Sequence, residues 1–217
     1  MLTQDGETLS YKVRTLQQGG IDKPFDVVLL TCKAYDLESA IDAIAPAVSP
    51  GTAILPVLNG MRHIDVLKQR FGAAQVLGGI TAINAALLPD GTVRQSQVRI
   101  NMNHLGELDR KKSARCMAIS QALTTGGLPA EVVDDIADSL WRKFFGYACN
   151  ATLTTLTRSR AGAIAKAGAG AAFVSAVIGE VASVVTAEGG TVAPEFVGLI
   201  RGMFSQPDST YLPSILV

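Results

Sequence analysis

Residues 26–32, Asp-Val-Val-Leu-Leu-Thr-Cys, have a continuous apolar run, Val-Val-Leu-Leu, in their centre and lie between Pro24 and Lys33. A run without polar alternation reads as a strand covered on both faces, so it predicts a central parallel strand. Leu37, Ala40, Ile41 and Ile44 then recur at helical spacing until Pro46 and Pro50 stop the helix, and Thr52 to Leu58 gives a second apolar strand. Asn59-Gly60 turns the chain, Ile64, Leu67 and Phe71 mark a short helix, and Val76 to Ile80 supplies a third strand. Strands alternating with helices in this way predict an α/β fold with a doubly wound parallel sheet.

Further on, Asp90-Gly91 is a turn signal, and Thr92 to Gln95 and Val98 to Met102 alternate well enough to pair as edge strands that extend the sheet. Ala114 to Leu123 reads as a helix ended by Gly126-Gly127. From Asp134 onward the pattern is helical only: Leu140 to Leu156, Ala171 to Ala187 and Phe196 to Phe204 are apolar at helical spacing, with Gly189-Gly190 closing the middle one. The change of character places a domain boundary between 128 and 129.

With 48% hydrophobic residues, 217 residues are enough to bury a sizeable core. Nineteen basic residues balance nineteen acidic ones, which argues against an electrostatic grip on nucleic acid or an anionic membrane and points to a small ligand. Arg110-Lys111-Lys112 reads as a solvated first turn of a helix. Cys32, Cys116 and Cys149 are odd in number and widely spaced, with only His63 and His104 to assist them, so neither a zinc site nor a disulfide framework is expected. Cys32 and Cys149 read as buried small hydrophobes of a reducing compartment, and the absence of a signal-peptide pattern and of an uncharged apolar run of membrane length makes the cytoplasm the expected location.

Candidate chemistry centres on Lys143. It follows Leu140-Trp141-Arg142 at the head of an apolar helix, where loss of hydration disfavours the ammonium and brings its pKa toward the range useful to a general acid. At 3.6 residues per turn Lys143, Tyr147, Asn150 and Thr154 share one stripe, a cation followed by three hydrogen-bonding groups. The plainer reading is a lysine snorkelling from the edge of a packed helix. Lys33 and Asn59 each follow a predicted parallel strand, where ligands of such sheets collect. Their plainer readings are a surface lysine capping a helix and a turn residue tolerant of positive φ.

Taken in order, Leu30-Thr31-Cys32-Lys33-Ala34, Leu55-Pro56-Val57-Leu58-Asn59-Gly60, Leu77-Gly78-Gly79 and Trp141-Arg142-Lys143 resemble the ketopantoate reductase family from about Phe25 to Val217. The resemblance implies a partial Rossmann-like domain over 1–128 and a helical substrate and dimerisation domain over 129–217, C-terminally incomplete. It implies NADPH-dependent reduction of 2-dehydropantoate (ketopantoate) to pantoate in pantothenate biosynthesis. By resemblance Lys143 is the general acid, Lys33, Asn59 and the backbone of Ala85 contact NADPH, and Asn59 and Ser214 contact the substrate. Tyr147 and Asn150 line the substrate side, in a helix where well-understood members carry asparagines four and eight residues after the lysine and this chain has Tyr147 and Ala151. A different 2-oxo acid therefore stands beside ketopantoate as substrate.

No G-x-G-x-x-G follows a strand ahead of the Val27 run, so the phosphate cradle of the family is missing and weak NADPH binding is expected. Gly168-Ala169-Gly170 follows no strand and reads as a loop entering a helix. Residues 1–217 are thus expected to be an internal piece of a longer reductase. The alternative class is a non-catalytic helical association module. In either case the Ala/Gly-rich helical segment is expected to pair with a second copy.

Overall fold

The computed structural model describes residues 2–4, 7–17, 19–83, 85–95 and 102–212. In chain order the elements are β1 (Leu2–Gln4), β2 (Glu7–Leu9), β3 (Val27–Leu30), α1 (Leu37–Ile44), β4 (Ala53–Pro56), α2 (Arg62–Phe71), β5 (Leu77–Ala82), β6 (Ala85–Leu87), β7 (Val93–Gln95), β8 (Met102–Glu107), α3 (Ala114–Thr125), β9 (Glu131–Val132), α4 (Ile136–Thr157), α5 (Ala161–Lys166), α6 (Gly170–Ala187) and α7 (Pro194–Met203). The chain divides into two compact units, Met1–Ile136 and Ala137–Val217. The division falls past the boundary read from the sequence because β9 pairs with β8 and keeps the segment after Pro129 in the first unit.

In the first unit β3 and β4 run parallel, with Leu30 opposite Pro56, and one parallel bridge from Ile54 to Val76 leads on to β5. Alternate side chains of β4 face opposite ways, as the strand period requires. Ile54 joins Leu30, Leu37, Ile41, Leu58 and Leu67 under α1 and α2. Ala53 and Leu55 join Leu77, Leu105, Cys116 and Ile119 under α3. Helices on both faces fulfil the doubly wound expectation. The expectation of a fully covered β3 fails. Val27 and Leu29 are 39% and 46% exposed, because α3 covers β4, β5 and β8 on that face and stops short of β3.

The edge-strand expectation is also corrected. β7 pairs antiparallel with β6 across the Asp90-Gly91 turn, and parallel with β1, in a separate four-stranded sheet ordered β2-β1-β7-β6. Met102 opens β8, which pairs antiparallel with β5 and is the strand that extends the central sheet. Residues 98–101 lie outside the described residues. The Arg110-Lys111-Lys112 cluster precedes α3 instead of opening it. Ser113 caps that helix by accepting from the Cys116 N–H, and Lys112 and Arg110 pair with Asp134 at 3.2 Å and Asp135 at 2.8 Å.

The second unit is all helical, as its periodicity predicts. Phe145, Cys149 and Leu153 of α4 pack with Val174, Val177, Ile178 and Val185 of α6 and with Ile200 and Phe204. Gly170 is placed for close packing, since a Cβ there would run into the Ile164 carbonyl. That accounts for Gly168-Ala169-Gly170 as the entry to α6. The expectation of no uncharged apolar run of membrane length stands: α6 is long and apolar enough by length and composition to cross a bilayer, but it carries Glu180, and one face of it is buried in this unit.

Candidate functional site

Within the first unit, Lys33 and Asn59 stand at the same end of adjacent parallel strands, each three residues past the register pair Leu30 and Pro56. The Val57 N–H donates to the Leu30 carbonyl at 3.0 Å, so the ladder holds to its end. Lys33 keeps extended backbone, and its carbonyl accepts from the Asp36 N–H at 3.0 Å, closing a 3₁₀ turn over Ala34–Asp36. Leu37, buried behind that turn, fixes it to the sheet. Lys33 is exposed and makes no ion pair among the described residues. Cys32 beside it is only partly buried, which corrects the fully buried expectation, and burial pushes its thiol up.

Asn59 does not have the role that the plain turn reading gives it. Gly60 takes the positive φ, +90°, and Asn59 does not adopt one. Its amide is exposed and has no hydrogen-bond partner among the described residues. Ala85 lies three residues past the end of β5, exposed, with its backbone in register with Gln95. Asn84 and Ser214 lie outside the described residues.

Sequence reasoning missed the polar link nearby, in which Thr81 and Asn103 share a hydrogen bond of 2.6 Å and the Asn103 amide donates to the Pro129 carbonyl at 2.9 Å. Alternation along β8 was the available signal, since Asn103 falls on a buried position of that strand.

In the second unit Lys143 lies on the second turn of α4 and is part-buried, in a stretch whose Trp141, Phe144 and Phe145 belong to the helical core. Trp141 packs closely on Gly190, where a Cβ would approach the indole to 2.6 Å, and this close contact fixes the first turns of α4. No carboxylate pairs with Lys143 among the described residues. Burial pulls its pKa below the usual lysine value, as the sequence position anticipates. Arg142, one position away, is held by Asp138 at 4.0 Å and by the Phe196 ring at 5.4 Å, so the two cations have different surroundings.

The stripe below Lys143 is graded from solvent to core. Tyr147 is 38% exposed, Asn150 is part-buried and Thr154 is fully buried. Thr154 is removed from ligand chemistry, because its hydroxyl donates to the Asn150 backbone carbonyl at 2.7 Å. The Asn150 side-chain oxygen is buried without a hydrogen-bond partner among the described residues.

Two surface cavities lie away from these residues. One, of about 630 Å³, sits at the amino end of β5, and its cations are already neutralised, Arg115 by Glu107 at 2.6 Å and Lys111 by Asp109 at 2.6 Å. The other, of about 370 Å³, is lined by Asp138, Arg142, Glu195, Phe196 and Leu199. Neither contains Lys33, Asn59 or Lys143.

Residues 2–109 match the model of the family described as ketopantoate reductase PanE/ApbA, and residues 135–213 match the model of its C-terminal part. The chain is 33% identical over 167 residues to an uncharacterized oxidoreductase, YkpB, of Bacillus subtilis, covering 76% of this chain and 54% of that protein. It is 27% identical over 183 residues to a 2-dehydropantoate 2-reductase of Mesorhizobium japonicum, covering 75% and 56%. The chain thus spans about half the length of these relatives. Its fold matches the crystal structure of 2-dehydropantoate 2-reductase from Geobacter metallireducens with a TM-score of 0.84 at 21% identity, over 99% of this chain and 71% of that one. It also matches D-mandelate dehydrogenase, solved with NADH and anilino(oxo)acetate, with a TM-score of 0.79 at 22% identity, over 99% and 70%.

Proposed function

Because the chain belongs to the ketopantoate reductase family, we propose that it serves the NADPH-dependent reduction of a 2-oxo acid, with ketopantoate as first candidate and pantoate as product. The observation that carries this reading is Lys143, a part-buried ammonium without a carboxylate partner among the described residues and with a pKa lowered by burial. Bound reduced nicotinamide supplies the hydride that reaches the 2-oxo carbon. Lys143 offsets the negative charge growing on the carbonyl oxygen and passes its Nζ proton to it, leaving a neutral amine beside a hydroxyl. A lysine locked in an ion pair would have to break that pair first. Among the described residues Lys143 has none to break.

The residues of the first unit suit a nicotinamide dinucleotide. Lys33 and Asn59 are exposed, unpaired and at one end of adjacent strands, so a cation is free for phosphate and an amide for a ribose hydroxyl or the substrate. Tyr147 in place of the family's asparagine favours a second reading, a different 2-oxo acid, because an amide partner is exchanged for a ring. The three free cysteines suit a reducing, cytoplasmic setting.

The test is consumption of NADPH, and separately of NADH, with ketopantoate and a panel of bulkier 2-oxo acids, at saturating cofactor. One 2-hydroxy acid formed per cofactor oxidised is the expected result. No turnover with any 2-oxo acid would contradict the proposal.

A further inference from the structure

The large apolar side chains that the fold leaves outside include Tyr35, which is 84% exposed. Its place gives that exposure a meaning. Tyr35 is the middle residue of the 3₁₀ turn that follows Lys33, at the carboxyl end of β3. Lys33 on one side and buried Leu37 on the other tie the turn down, so the ring is held outward by backbone geometry. Neither its ring nor its hydroxyl has a partner among the described residues.

The order of strands sets what lies beside it. Along the carboxyl ends the sequence is β3, then β4, then β5, with Lys33, Asn59 and Ala85 following in that order. Neighbouring strands are about 4.8 Å apart, so an extended dinucleotide lies across several of them. With the nicotinamide ribose at Asn59, as the proposed function has it, the adenine half lies toward β3. An uncovered aromatic ring there is a stacking platform, since every nucleobase offers a π-face to a tyrosine.

We propose that Tyr35 stacks on the adenine of the cofactor. The inference rests on the proposed nicotinamide dinucleotide and adds a residue and a contact to it. Lys33 takes phosphate charge while Tyr35 grips the base, so the two act on different parts of one ligand.

Calorimetric titration separates these parts, using NADPH, ADP and reduced nicotinamide mononucleotide, which lacks the adenine. Tyr35→Ala is expected to weaken NADPH and ADP about tenfold or more and to leave the mononucleotide unchanged. Tyr35→Phe is expected to keep all three affinities, and both variants to melt with the wild type, because the side chain is 84% exposed. NADPH and ADP affinities of Tyr35→Ala within twofold of wild type would overturn the stacking contact alone. An equal loss for the mononucleotide would also overturn it, by placing Tyr35 at the other half. A wild-type chain that bound NADPH at no millimolar concentration would overturn the cofactor reading and the contact together.

Discussion

Gly78 of β5 and Gly106 of β8 face each other across the antiparallel ladder, and together they form the slot filled by the fully buried Ile136. A Cβ on Gly78 would meet Ile136 Cγ2 at 2.6 Å, and one on Gly106 would meet the Val133 carbonyl oxygen at 2.7 Å. Glycine in strands commonly marks such an approach of another segment. Ile136 is also the first residue of α4, the helix that carries Lys143.

The first prediction follows. Ile136 is β-branched and cannot swing aside, and the Val133 oxygen belongs to the backbone, so an added methyl has to be met by strain. Gly78→Ala and Gly106→Ala should each cost about 1–3 kcal/mol and lower the melting temperature by several degrees. Gly168→Ala, where a Cβ meets nothing and the backbone has no positive φ, serves as the control for the loss of glycine alone. Unchanged melting of both slot variants would show that the slot is loose.

The second prediction concerns acid. Arg115 donates from Nε and Nη2 to both oxygens of Glu107, at 2.7 and 2.6 Å, and from Nη1 to the Ala74 carbonyl at 2.6 Å. The guanidinium holds the Glu107 carboxyl below its ordinary value of 4.5. A depressed folded pKa gives stability that is complete above the unfolded value and is lost as the pH falls through the folded one. Melting followed downward from about pH 6 should show a fall in the wild type that Glu107→Gln largely lacks, from a lower starting point. Parallel curves for the two proteins would contradict this.

Much of the first unit is legible in the sequence because β4 and the helices around it obey one period each. Ile54 and Leu55 are both apolar because both faces of β4 are covered, and Ile41 and Leu67 fall on the inward stripe of their helices. The same continuity in β3 misleads. Val27 and Leu29 have the composition of a covered strand, yet coverage depends on where α3 lies, and no local pattern encodes that. The β6 to β7 turn is legible at Asp90-Gly91, whereas the pairing of β7 with β1 joins residues about ninety positions apart. At the candidate site, the burial that lowers the Lys143 pKa and the shared strand end of Lys33 and Asn59 are legible. Thr154 is not, because a hydroxyl on the right stripe gives no sign that it will bond its own helix.

A third prediction addresses cofactor affinity. Lys33 is exposed and unpaired, so Lys33→Met should leave melting unchanged while weakening NADPH about tenfold and flattening the dependence of that binding on salt. Equal affinity, or equal loss of affinity and melting temperature, would remove Lys33 from the cofactor contacts.

The fourth prediction is a stability cost at Lys143. Its folded pKa lies below the ordinary 10.5, so the fold disfavours the ammonium, and stability should rise as the pH climbs from the folded pKa toward 10.5. Lys143→Met deletes this penalty and keeps the apolar stem. The variant should melt at a higher temperature than wild type near neutral pH and lose the alkaline rise. A variant that melts lower would mean that Lys143 has a stabilising partner.

The central claim, that Lys143 is the proton donor, is tested most directly by the turnover of Lys143→Met at saturating NADPH and 2-oxo acid, with cofactor affinity and melting measured on the same samples. Loss of a general acid typically costs about 10²- to 10⁴-fold, and that loss is expected here with unchanged NADPH affinity and a melting temperature no lower than that of the wild type. Turnover near that of the wild type, or activity lost only through unfolding, would make Lys143 a snorkelling surface lysine and contradict the account.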